Sequence, residues 1–175
     1  SEDNNLDIKK APTYSPDELN LYMENSEEVS KLFKHAEKVL RKTLSYNELN
    51  TIFGFHEHFK MPLDVIEILL DYCGESNKTN MKYIESIAME WIDNGIMTKK
   101  EALFNKNSKS IMKILDRNYS NITTEEMKFI KKWLDELKMP INIVLEACEK
   151  AVIQLNRKPL NASRKPFPYI DKIIC

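Results

Sequence analysis

Apolar residues recur at helical spacing along most of this chain. In KYIESIAMEW, residues 82–91, Tyr83, Ile87 and Trp91 stand four residues apart. A step of four advances the position by only about 40° around an α-helix, so the three side chains form one stripe, either part of the core or a contact edge. Similar reasoning predicts the other elements. Ser26 before Glu27 and Glu28 caps a helix over 27–42, and Ser45 with Glu48 forms a capping box for one over 46–60. Pro62, at a first-turn position, opens a third helix to about 73. That segment, PLDVIEILLDYC, is apolar on most of its circumference and is expected to be the central, most buried helix. After the polar break GESNKTN comes a fourth helix over 80–93, closed by Gly95 in a left-handed turn. Further helices are predicted at 108–118, 123–138, 140–156 and from 167 onward.

The pattern occurs twice. FKMPLDVIEILL (59–70) and LKMPINIVLEAC (137–148) align at an offset of 78 residues, and LSYNELNTIFGF (44–55) falls on ITTEEMKFIKKW (122–133) at the same offset. Leu44 lies over Ile122, Ser45 over Thr123, Glu48 over Glu126, Ile52 over Ile130 and Phe55 over Trp133. With eight further residues in the second copy, YIESI (83–87) meets YIDKI (169–173), so Tyr83 corresponds to Tyr169 and Ile87 to Ile173. An internal repeat of helical units follows. Residues 1–25 read as an acidic, proline-punctuated linker, 26–104 as the first repeat and 105–175 as the second. The partner of Trp91 would be residue 177, so the last helix is expected to be truncated and the chain to be a fragment of a longer protein.

Composition agrees with an all-α reading: 175 residues with 3 Gly, 7 Pro and 42% hydrophobic residues suit a folded helical protein. No apolar run reaches the length of a membrane span, and the polar start is unlike a signal peptide, so a cytoplasmic protein is expected. Cys73, Cys148 and Cys175 lack CxxC spacing and suggest neither a disulfide framework nor zinc; the first two read as small buried side chains. Charge is polarised along the chain. Residues 1–30 carry 2 Lys against 8 Asp and Glu, 31–104 carry 10 basic against 11 acidic, and 105–175 carry 14 against 8. The basic final third is compatible with a polyanionic partner.

Enzymatic chemistry finds little support. His56 and His58 in FHEHF, two residues apart on a helix, point about 200° apart and cannot share a metal. They read as surface histidines at a helix end, and His35 faces no obvious partner motif. Neither P-loop, GxSxG, HExxH nor GxGxxG occurs. No catalytic residue, metal or cofactor is expected.

Two helical repeats, each with a central helix after a Pro and a last helix reading YxxxI, completed by Trp91 in the first copy, resemble the DnaD-like domain of the DnaD and DnaB-type replication initiation proteins of Gram-positive bacteria and their phages. The first copy matches over 31–104, including DNGIMTKKEA after Trp91; the second matches over 108–175 without the Trp. The resemblance implies a non-enzymatic, nucleoid-associated protein that binds single-stranded and duplex DNA and helps recruit the replicative helicase or its loader. It further implies contacts with other replication initiation proteins and homo-oligomerisation through regions outside this chain. With the family's YxxxIxxxW helix as the implied DNA contact and the cation beside it added for phosphate, DNA contacts are expected at Lys82, Tyr83, Ile87 and Trp91 in the first copy. In the second copy, where the basic final third favours the stronger contact, they are expected at Arg164, Lys165, Tyr169, Lys172 and Ile173. The rival reading is a helical docking module in which both stripes are core or a protein-binding groove.

Overall fold

The computed structural model describes residues 11–156 and 165–175. Among these, nine α-helices and no strand occur, as an all-α chain requires. The chain divides into two compact units between Leu103 and Phe104.

Unit 1 contains α1 (Pro16–Asn25), α2 (Glu27–Leu40), α3 (Tyr46–Glu57), α4 (Leu63–Glu75) and α5 (Met81–Asp93). It ends in the first turn of α6 (Lys99–Ile114). The predicted central helix is central: α4 packs against α2, α3 and α5, with Val65, Ile66, Leu69, Leu70 and Cys73 all at 0% exposure. Around it close Leu32 and Ala36 of α2, Ile52 and Phe55 of α3, and Ile84, Ala88 and Trp91 of α5. Pro62 occupies the position flanking α4 rather than its first turn, its carbonyl accepting from Ile66 N at 3.1 Å; its missing N–H is harmless at either place.

The linker expectation for residues 1–25 changes within the described part. Ser15 accepts from Glu18 N while the Glu18 carboxylate accepts from Ser15 N, a capping box with Pro16 at the first helical position. The proline read as linker punctuation is therefore a helix-opening residue. The helix it opens buries Leu19 at 3% exposure and lays Tyr14 and Tyr22 against Phe53, with ring centroids 4.8 and 4.6 Å away.

Unit 2 comprises the rest of α6, a short 3-10 turn (Tyr119–Asn121), α7 (Thr124–Lys131) running into a wide turn (Lys132–Glu136), α8 (Ile141–Asn156) and α9 (Pro166–Ile174). Its core holds Ile111, Met112, Ile130, Trp133, Val144, Cys148, Ala151, Phe167 and Ile170. Helix α6 begins at Lys99 rather than near 108. The reason is local: Thr98 caps Glu101 N, and the Glu101 carboxylate accepts from Thr98 N at 3.1 Å. Ser108 returns its hydroxyl to Phe104 O at 2.6 Å, so the polar run NKNSKS continues the helix.

The repeat is visible in backbone detail. In both units the Lys of the KMP triplet takes a left-handed conformation, Lys60 at φ 60° and Lys138 at φ 52°. The next residue's N–H reaches back six positions, Met61 to Phe55 O and Met139 to Trp133 O, each at 2.9 Å. A second shared device is an ion pair from the residue after a left-handed helix end to the capping-box glutamate: Lys42 to Glu48 after Arg41, and Arg117 to Glu126 after Asp116.

Candidate nucleic-acid interface

In unit 1 the predicted stripe lies largely inside. Asn80 caps α5 by accepting from Tyr83 N at 2.9 Å. From there Ile87 is 8% and Trp91 0% exposed. Both side chains lie within the unit 1 core rather than on the outer edge expected of DNA contacts. The core centre is one residue off the expected stripe: Ile84 and Ala88, not singled out by sequence, are at 0% with Trp91. The Trp91 Nε1 has no hydrogen-bond partner among the described residues. Tyr83 is half-buried. Burial first, then a hydrogen bond with Tyr72, pushes its phenol well above the ordinary tyrosine range. Lys78 Nζ lies 4.9 Å from the centroid of the Tyr83 ring. Lys82 is exposed.

In unit 2 helix α9 is anchored on one side and open on the other. The Phe167 ring stacks on Trp133 with centroids 5.9 Å apart and planes 7° from parallel. Ile170 is at 0% exposure. The Asp171 carboxylate accepts from Trp133 Nε1 and from Lys132 Nζ, both at 2.9 Å. Burial would raise the Asp171 carboxyl, but the bonds from Lys132 and Trp133 outweigh it and hold it below the ordinary aspartate range. With that side fixed, Lys165 at the start of α9 and Lys172 near its end are exposed, and Tyr169 is half-buried. At 100° per residue Tyr169 and Lys172 fall about 60° apart on the helix, and Lys165 stands in extended conformation at its N-cap, so two cations flank an aromatic along the chain. Ile173 is 40% exposed. Arg164 lies outside the described residues.

Asp171 lies over Glu85 in the repeat and is not among the expected site residues. A signal existed: Trp133 replaces Phe55 of the first copy, and a buried indole N–H needs an acceptor. His35 also has a partner unforeseen in sequence, Asp71 Oδ1 at 2.7 Å on α4. His56 Nδ1 lies 2.8 Å from Met61 O, while His58 is exposed. No group of three or more His, Cys, Asp or Glu among the described residues could hold a metal ion. No helix among them is long and apolar enough to cross a membrane.

Two helical units built on one repeated pattern, without a metal cluster among the described residues, define a tandem all-helical module. The family described as replication initiation and membrane attachment matches residues 33–103 and again 112–174. The chain belongs to this family of DnaD-like replication initiation domains and carries the domain twice. No curated protein and no solved structure matches it.

Proposed function

We propose that this replication-initiation chain binds single-stranded and duplex DNA through its second unit and helps bring the replicative helicase or its loader to that DNA. The observation that supports it is the outward edge of α9, where Lys165 and Lys172 flank Tyr169 while Phe167, Ile170 and Asp171 hold the helix down. Lysines neutralise phosphates, and a half-exposed tyrosine offers a face to an unstacked base. The excess of 14 basic over 8 acidic residues in 105–175 gives that edge a favourable field. In unit 1 the DNA role contracts to Lys82 and the outer edge of Tyr83.

The test is fluorescence anisotropy of labelled single-stranded and duplex oligonucleotides at several salt concentrations, with wild type and Lys165→Glu/Lys172→Glu. Loss of two phosphate contacts should weaken binding and lower the log–log salt slope by about 1.4 for single strands and about 1.8 for duplex. Unchanged affinity and slope would remove α9 from the DNA surface.

A second reading applies to unit 1. Its aromatic stripe is core, and residues 31–104 are near neutral, with 10 basic against 11 acidic. Both features favour a surface that meets protein rather than DNA.

A further inference from the structure

Among the described residues, one face of α7 in unit 2 is open where the equivalent face of unit 1 is covered. A shallow cleft of about 360 Å³ is lined there by Ile122, Thr123, Thr124, Met127, Lys128 and Lys131. At the repeat offset of 78 these correspond to Leu44, Ser45, Tyr46, Leu49, Asn50 and Phe53. Three of those unit 1 residues hold the N-terminal segment. Tyr46 donates its hydroxyl proton to Tyr14 O, Asn50 Oδ1 accepts from Tyr14 N at 3.1 Å, and Phe53 meets the rings of Tyr14 and Tyr22. The segment so held carries Asp17, Glu18 and Glu24, all exposed.

From this internal precedent we infer that the α7 face of unit 2 is a docking cleft for an acidic, helix-forming peptide of a partner protein that brings an apolar or aromatic anchor. The floor, Ile122 and Met127, is half-buried and apolar enough to receive the anchor. The rim explains the change of charge: Asn50 and Phe53 of the covered face become Lys128 and Lys131, both exposed. A face that takes its occupant from outside the chain gains from cations that steer an acidic peptide and fix its register. Helix-in-groove recognition of this kind needs only a short amphipathic partner. The inference rests on the internal repeat and is independent of the DNA edge on α9.

The probe is a fluorescein-labelled synthetic peptide of residues 11–25, which carries three acidic and no basic residues, titrated with the full chain and followed by anisotropy. Binding is expected to weaken with added salt, and about ten-fold in Lys128→Glu/Lys131→Glu. The milder Lys128→Gln/Lys131→Gln gives an intermediate loss and guards against misfolding, with thermal melting as the check. Lys165→Glu/Lys172→Glu should leave peptide affinity unchanged, which separates this cleft from the DNA reading. Failure of the peptide to bind overturns the proposal, as does equal binding by the charge-reversed chain or by a scrambled peptide. If instead a thymidine oligonucleotide loses affinity in Lys128→Glu/Lys131→Glu while the peptide does not bind, the face is a phosphate surface and the docking inference falls.

Discussion

The indole Nε1 of Trp133 donates to Asp171 Oδ1 at 2.9 Å across 38 residues of chain, tying α9 to the turn that follows α7. The same carboxylate holds Lys132. Asp171 is thus a clasp for the helix that presents Lys165, Tyr169 and Lys172, although it belongs to none of the predicted contacts.

Removing the clasp separates its two parts. Asp171→Asn keeps an acceptor for the Trp133 N–H and loses only the partly exposed ion pair, so a small drop in stability is expected. Asp171→Ala also leaves the buried N–H unpaired and should cost about 1–3 kcal/mol in chemical denaturation. The pH dependence has a definite sign. The folded carboxyl lies below the ordinary aspartate value of 3.8, so its contribution is complete above that value. It is lost as pH falls through the lower folded one. Wild type should therefore lose its advantage over Asp171→Asn in that acidic window, and an advantage that grew on acidification would contradict the clasp.

The sequence made the elements legible because helix periodicity and caps are local. Ser45 with Glu48 and Thr123 with Glu126 open α3 and α7 as expected, and Gly95 closes α5 at φ 68°. What it concealed depends on tertiary choice. The Tyr83–Ile87–Trp91 spacing identifies a stripe, but a stripe is equally a core seam or a contact edge until its neighbours are placed. Here Trp91 is a fully buried member of the unit 1 core. Likewise Pro12 and Pro16 flank the segment that seats Tyr14 on Phe53, a contact between residues 39 apart that no local pattern reveals.

Burial of the two tryptophans predicts different responses to the same exchange. Trp91→Ala should cost about 3–5 kcal/mol, the range for emptying a core aromatic site. Trp91→Phe should be far milder, because the cavity it leaves is offset by removing an N–H that has no partner among the described residues. Trp133→Phe breaks the bond to Asp171 and should cost more than Trp91→Phe. Urea denaturation of the two Phe variants checks the order.

Thiol reactivity should divide the cysteines by position. Cys175 is exposed, whereas Cys73 and Cys148 are buried, and burial pushes the Cys148 thiol up to about 12. At pH 8 only about one part in ten thousand of such a thiol is thiolate. A disulfide reagent should label Cys175 promptly in the native protein and the other two only after denaturation. Prompt labelling of Cys148, located by peptide mapping, would contradict its place in the unit 2 core.

Gly54 tests the seating of the N-terminal segment on α3. A Cβ added there would sit 2.9 Å from the Ala11 Cβ, closer than two carbons tolerate without a shift. In a helix interior, Gly→Ala otherwise gains about 0.8–1 kcal/mol. Gly54→Ala alone should therefore be neutral or destabilising, since the propensity gain is spent displacing Ala11. Ala11→Gly removes the obstructing methyl but frees the unfolded chain, at a cost of about 0.4–1 kcal/mol. The double variant should then be more stable than the two single changes sum to, by up to about 1 kcal/mol, a coupling that a double-mutant cycle reads directly. If Gly54→Ala stabilises by that amount on its own and the cycle shows no coupling, residues 11–14 do not rest on α3 in solution. The precedent for the unit 2 cleft would fall with them.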